Sequence, residues 1–250
     1  MSWHLRFLGV GSSQAVELGS ASAVIERDTA PLLMIDCGPE ALTAFLDHYH
    51  DTPRALFITH VHMDHIGGLE RLFYRIFFDP QRCGKVKLYV PAAIVALLHG
   101  RMADYPGVIA EGGANWWDAF QLVPVSNGFW HEKIWFDVFP VRHHLPGTAF
   151  GLRLPGSVLW TGDTRPIPEV LARYADGGEL IAHDCALSGN PSHSGLDDLE
   201  REYPAALLQR CILYHYGSAR DGETMRERSH RVAEPGELVE LAPPSGALLP

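Results

Sequence analysis

Short apolar runs bounded by turn residues open the chain. Residues 5–10, 23–26 and 32–36 have the length and flanks of strands, and the first runs into the turn Gly9-Val10-Gly11-Ser12-Ser13. Over 39–50 the period changes: Leu42, Phe45, Leu46 and Tyr49 share one helical face, with Pro39 suited to the first turn. A strand over 55–59 follows. Gly67-Gly68 then opens a second helical stretch through Leu69, Leu72, Phe73, Ile76 and Phe77, before a strand over 86–90 and a helix over 92–102. The segment 103–131, rich in glycine and aromatics, has no clean period and is expected to be loop with some strand. Alternation returns in strands over 134–141, 150–154 and 158–161, with Pro155-Gly156 as a turn. Beyond them, helices over 168–174, 195–203 and 223–231 alternate with strands over 180–182 and 211–214. Strands interleaved with helices predict an α/β domain whose sheets are covered on their outer faces. One domain is expected over 1–241, with 242–250 as a flexible tail.

Composition narrows the class. The chain has 250 residues, 46% of them hydrophobic and 20% charged, enough for one substantial core. Lys+Arg 20 against Asp+Glu 30 gives a net charge of −10, which argues against a sequence-independent grip on nucleic acid, although a nucleotide substrate is compatible. Apolar stretches such as 92–98 fall far short of the roughly 20 residues of a membrane span, and no membrane partner is expected. The start carries no basic region leading into an apolar run, so export is not expected. Four scattered cysteines without a C-x-x-C pair suit a reducing cytoplasm. Histidine is the unusual residue, with 14 unevenly placed copies.

The densest cluster is Thr59-His60-Val61-His62-Met63-Asp64-His65-Ile66-Gly67-Gly68, where an apolar strand gives way to a glycine-opened helix. On an extended strand end His60 and His62 project to the same side and reach one cation. Asp64 and His65 lie beyond, in the turn, and can face a second. Imidazole and carboxylate suit zinc, iron or manganese. Surface polarity in a loop is the bland alternative, but three histidines and an aspartate at one strand end have no packing rationale.

This His-x-His-x-Asp-His run resembles the hallmark of the metallo-β-lactamase superfamily, and further motifs recur in the family's order. They are Phe7-Leu8-Gly9-Val10-Gly11-Ser12-Ser13, Ile35-Asp36-Cys37-Gly38, Trp160-Thr161-Gly162-Asp163-Thr164 and the strand end Tyr214-His215. The resemblance implies a four-layer αββα sandwich of two packed mixed sheets with helices outside. It implies His60, His62 and His143 on one metal, Asp64, His65 and His215 on a second, and Asp163 bridging them. Two divalent ions are expected, zinc first, with manganese or iron compatible. His144 rivals His143 in Val141-Arg142-His143-His144-Leu145-Pro146; the resemblance favours His143, since the family's third histidine often precedes a proline by three.

A narrower resemblance, to ribonuclease Z and its cyclic-phosphodiesterase relatives, rests on His183-Asp184-Cys185-Ala186 and Ser192-His193-Ser194. It implies that His193, oriented by Asp184, protonates a leaving oxygen. Asp184 stands where that branch has glutamate, and Ser194-Gly195 where it has Ser-Thr. The bland reading has Ser192 or Ser194 capping a helix beside an exposed histidine. The long basic arm with which ribonuclease Z grips tRNA has no counterpart: 103–130 contains neither lysine nor arginine. Its Trp116, Trp117, Phe120 and Trp130 either form a stacking wall for a flat group or pack as core, the second being the commoner fate. The expected function is a metal-dependent hydrolase using a metal-activated water, a phosphodiesterase on a small or cyclic phosphodiester. Asp64 is expected to ligate and to take the water's proton. A lactonase or thioesterase, an RNA 3′-processing endonuclease and a non-catalytic metal-bearing module are the alternatives. The partner is a small-molecule substrate; a homodimer is compatible with the sequence.

Overall fold

The structure, a computed structural model, describes residues 1–103 and 112–245. The expectations for 104–111 and 246–250 lie outside the described residues. Strands β1 (Trp3–Gly9), β2 (Ser22–Arg27), β3 (Ala30–Ile35), β4 (Ala55–Phe57), β5 (Val86–Pro91) and β6 (Phe120–Val125) belong to one sheet. A second sheet holds β7 (Gly128–His131), β8 (Ile134–Pro140), β9 (Phe150–Leu154), β10 (Val158–Trp160), β11 (Leu180–Asp184) and β12 (Cys211–Tyr214). A last strand, β13 (Leu238–Leu241), pairs antiparallel with the edge of β1. The sheet orders are β13-β1-β2-β3-β4-β5-β6 and β12-β11-β10-β9-β8-β7. Both are mixed, because antiparallel hairpins at one end give way to parallel pairs, β3–β4–β5–β6 and β10–β11–β12, at the other.

Alternation along the strands sorts side chains into two layers. In β2 to β4, Ala23, Ile25, Leu33, Ile35, Ala55 and Phe57 pack between the sheets with Phe129, Phe136, Leu152 and Trp160 of the second. Their neighbours Val24, Met34 and Leu56 face the other way, onto Leu42, Phe45, Leu72, Phe73 and Ile76. Those last residues come from the helices Pro39–Tyr49 and Leu69–Phe77, which cover the outer face. Strands apolar on both faces are what a sheet buried on both sides requires. Leu171, Leu196 and Leu199, from helices Pro168–Tyr174 and Leu196–Glu202, join the second sheet's core. The expected four-layer sandwich is therefore present.

Some boundaries differ from the pattern. The expected helix over 92–102 is three short helical pieces, Ala92–Ile94, Val95–Leu98 and the wider turn His99–Ala103. The last helix is Ala219–Glu227 rather than 223–231, because Ser218 Oγ accepts the Asp221 N–H at 3.2 Å and starts it earlier. β13 and the one-turn helix Ala205–Leu208 were not expected. Ser245 N–H donates to Pro155 O at 2.8 Å, so the described part of the tail lies on the β9–β10 turn. Among the described residues no helix is long and apolar enough to cross a membrane.

Phe136 lies between the sheets, stacked on Phe129 with ring centroids 5.3 Å apart. Phe136→Ala is expected to cost about 3–5 kcal/mol in denaturant unfolding, the range for emptying a large core site. A loss below about 1 kcal/mol would mean that the sheets are not packed as described.

Candidate metal centre

The candidate residues stand where strands run out. β3 leads into Asp36, β4 into the segment from Thr59 to His65, β8 into His143 and β10 into Asp163; β11 ends on Asp184, and β12 leads into His215. Parallel pairing brings the C-terminal ends of β3–β4 and of β10–β11–β12 to one edge of the sandwich, so residues distant in sequence meet there. Close approach dictates two glycines. Gly162 has φ +64°, and a Cβ on it would come within 2.8 Å of Phe150 O. A Cβ on Gly38 would come within 2.0 Å of Asp64 O, so this chain crossing tolerates no side chain.

His60, His62, His143 and Asp163 form a first group, each offering a ligand atom within 4.8 Å of the others. Hydrogen bonds fix how two of the rings are used. Thr59 Oγ1 donates to Asp36 Oδ2 at 2.7 Å and so accepts from His60 Nδ1–H at 3.0 Å, which leaves His60 Nε2 a bare lone pair. His143 Nδ1–H donates to Ser192 O at 2.9 Å, with the same consequence for its Nε2. Both bare nitrogens face His62 Nδ1, at 3.0 and 3.2 Å, and one ring proton cannot serve both. Burial pushes His60 and His143 below the ordinary imidazole range. His62, through burial and then its neighbours His143 and His144, is lowered to about 4. Uncharged imidazoles with converging lone pairs are a cation's donor set.

Asp64, His65, Asp163 and His215 form a second group, also within 4.8 Å, and Asp163 belongs to both. His65 Nδ1–H donates to Asp36 Oδ2 at 2.8 Å, and its Nε2 lies 3.2 Å from Asp163 Oδ2 and 3.5 Å from Asp64 Oδ2. His215 Nε2 lies 3.3 Å from Asp163 Oδ2 and 3.7 Å from Asp64 Oδ2. Burial opposes charge on both rings, but Asp163 and the other carboxylates outweigh it. They raise His65 and lift His215 to about 10. In return the histidines hold Asp64 and Asp163 well below the carboxylate range despite burial. Protons here occupy the electrostatic place of a cation. His65 Nε2, His215 Nε2 and Asp163 Oδ1 are buried with no hydrogen-bond partner, a condition costing about 1–3 kcal/mol per group unless something binds them. Donor chemistry, bare lone pairs and orphaned atoms all fit divalent cations.

Beside this second group, Asp184 Oδ2 accepts from Thr164 N–H at 2.8 Å and from His193 Nδ1–H at 2.9 Å. Asp184 Oδ1 lies 3.4 Å from His215 Nδ1, and the His193 and His215 rings are stacked with centroids 4.8 Å apart. Burial opposes the charge on His193, yet Asp184 raises it above its ordinary value. Asp163, Asp184, His193 and His215 would make a further ligand set; there His193 Nδ1 is already engaged by Asp184 Oδ2, while Asp184 Oδ1 is buried with no hydrogen-bond partner. His144 is exposed, with Nδ1 3.2 Å from Ser192 Oγ, and belongs to none of the three sets. His183 is buried against Tyr203 and takes no part.

Three residues at the site were not singled out from the sequence. Asp36, Thr59 and Thr164 hold its walls in place, and Asp36 (φ +59°), like His215 (φ +71°), takes the left-handed conformation that non-glycine residues rarely adopt. Of the four aromatics, Trp116 and Phe120 are buried on the helix side of the first sheet, half-buried Trp117 donates Nε1–H to His99 Nδ1, and Trp130 is exposed. Trp130 lies on Trp135.

A family model described as anti-Pycsar protein Apyc1 matches residues 3–239. The chain is 27% identical over 249 residues to an anti-Pycsar protein Apyc1 of Paenibacillus harenae, covering 95% of this chain and 100% of that one. Among solved structures, a diphosphatase of the PhnP family gives a TM-score of 0.78 at 19% identity, covering 97% of this chain and 99% of the other. The short form of human tRNase Z gives 0.62 at 18% identity, covering 94% and 98%. The metallo-β-lactamase fold implied by the histidine motif is thereby borne out.

The two adjacent histidines separate experimentally. His143→Ala removes a buried nitrogen from the first group and is expected to lower bound metal by elemental analysis after equilibration with zinc. His144→Ala is expected to keep the wild-type content; the opposite ranking would transfer the ligand role to His144.

Proposed function

The chain belongs to the family of the anti-Pycsar protein Apyc1, and from that premise and the site geometry we propose that it is a metal-dependent phosphodiesterase opening small cyclic phosphodiesters, cyclic nucleotides among them. Two divalent cations, zinc first, are the proposed cofactors, held by His60, His62 and His143 on one side and by Asp64, His65 and His215 on the other, with Asp163 between. When bound, such cations lower the pKa of a water toward about 7 and offset charge on phosphoryl oxygens.

The protein's own groups do the rest. Asp64, which His215 and His65 hold ionised despite burial, is the carboxylate to which we assign the proton of the attacking water. The water's oxygen forms a bond to phosphorus, the bond from phosphorus to the sugar oxygen breaks, and that oxygen needs a proton. His193 supplies it from Nε2, since Nδ1–H is engaged by Asp184. This His193–Asp184 pair, beside the metal-ligand cluster, is the observation that carries the reading. An alkoxide is a poor leaving group and requires an acid, whereas an activated ester or lactone gains little from one. The free, scattered cysteines accord with a cytoplasmic enzyme.

His193→Ala is expected to retain both metals and to slow an unactivated cyclic nucleotide by about 10²- to 10⁴-fold. It is expected to slow bis-p-nitrophenyl phosphate far less, because p-nitrophenolate leaves without help. Equal losses on the two substrates would remove His193 from the acid role. Wild-type hydrolysis of a lactone or thioester with no phosphodiester cleaved would overturn the reading.

A further inference from the structure

Beside the metal-ligand cluster opens a cleft of about 470 Å³, with His193 and His215 at its inner end. That volume lies within the range of small-molecule sites. Its outer wall carries Ser12, Ser13, Gln14, Ser188, Asn190 and Asp221, all neutral hydrogen-bonding groups except the last. Among the described residues no lysine or arginine lines it. The same holds for the neighbouring cleft of about 260 Å³, which shares Ser12 and Ser13, reaches Asp64 and adds the acidic Glu40. The arginine closest in sequence to the first metal group, Arg142, is paired with Glu169 at 2.9 Å.

Apart from His193 and His215 beside the metal-ligand cluster, a phosphodiester therefore meets no cationic side chain in the cleft. Everything beyond that point in the cleft is neutral or acidic. The Asp221 side chain makes no hydrogen bond or ion pair among the described residues, while its backbone N–H donates to Ser218 Oγ. The carboxylate stands over Gly217, where an added Cβ would lie 3.0 Å from Asp221 Oδ2. A second phosphate on the substrate would face this carboxylate where no lysine or arginine lines the cleft, and like charges brought together reject a ligand without any change in its other contacts.

We infer that the cleft is a subsite for the uncharged part of a singly charged phosphodiester, a nucleoside in chemical class, and that Asp221 excludes substrates carrying a further phosphate. The inference rests on the phosphodiesterase reading and adds a selectivity to it.

The test compares substrates that differ by one phosphate. These are a nucleoside 2′,3′-cyclic phosphate with and without a 5′-phosphate, and a nucleoside 3′,5′-cyclic phosphate with and without a 2′-phosphate; the pair used is the one whose ring the wild type opens. For the wild type the extra phosphate is expected to lower kcat/KM at least 10-fold, by a factor that shrinks as salt is added. Asp221→Asn is expected to narrow the ratio by about 3-fold, and Asp221→Lys to narrow it further and reverse its salt dependence. Bound zinc and the thermal midpoint of each variant show whether it is folded; a merely structural role would lower both activities together and leave the ratio unmoved. Equal efficiency of the wild type on both members, or variants that keep its ratio, would overturn the inference while leaving the phosphodiesterase reading intact. Failure to open either unsubstituted ring would overturn both.

Discussion

One buried carboxylate organises the centre. Asp36 accepts the Thr59 N–H at 2.8 Å, the Thr59 hydroxyl at 2.7 Å and His65 Nδ1–H at 2.8 Å. Through Thr59 it sets the ring of His60, and directly it sets that of His65, one residue from each ligand group. Its own position is exacting: it leaves β3 in the left-handed region, fully buried, against the end of β4. Without this anchor the two rings would lose their fixed orientations, and the histidine run would be a loop of polar side chains.

The fold makes such anchoring possible because its parallel strands end together. Asp36, His60, Asp163, Asp184 and His215 follow or close strands whose apolar residues are locked between the sheets or under the helices. Positions set by packed strands are rigid, and preorganised ligands cost little reorganisation when an ion or substrate arrives. The charge pattern completes the account. Asp64 and Asp163 hold His65 and His215 toward the charged form, while burial holds His60, His62 and His143 toward the neutral one. Cation binding at the second group therefore releases protons, and affinity rises with pH as it does at other metal sites.

Much of this was legible in the sequence, and the misses have physical reasons. The His-x-His-x-Asp-His run sits at a strand end that periodicity locates, and the Gly-Asp-Thr turn and the strand before His215 are equally plain. Asp36 was visible only as the end of a strand, since its contacts lie across 23 and 29 residues of chain. Local spacing carries no information about such pairs. His143 and His144 differ through backbone direction alone: one is buried against Ser192 O, and the other turns outward at φ +49°. The start of the last helix was misjudged because its residues are almost all polar, so the Ser218 cap outweighs any apolar period. β13 escaped notice as a four-residue edge strand with alternating exposure, too short for a pattern to declare itself.

The central claim is that this buried cluster holds two cations that share Asp163. Crystals grown with zinc and measured on either side of the zinc absorption edge test it directly. The account predicts two anomalous peaks, one among His60, His62 and His143 and one among Asp64, His65 and His215, with the Asp163 carboxylate touching both. A single peak, or a second one held by Asp184 and His193 instead, would contradict it.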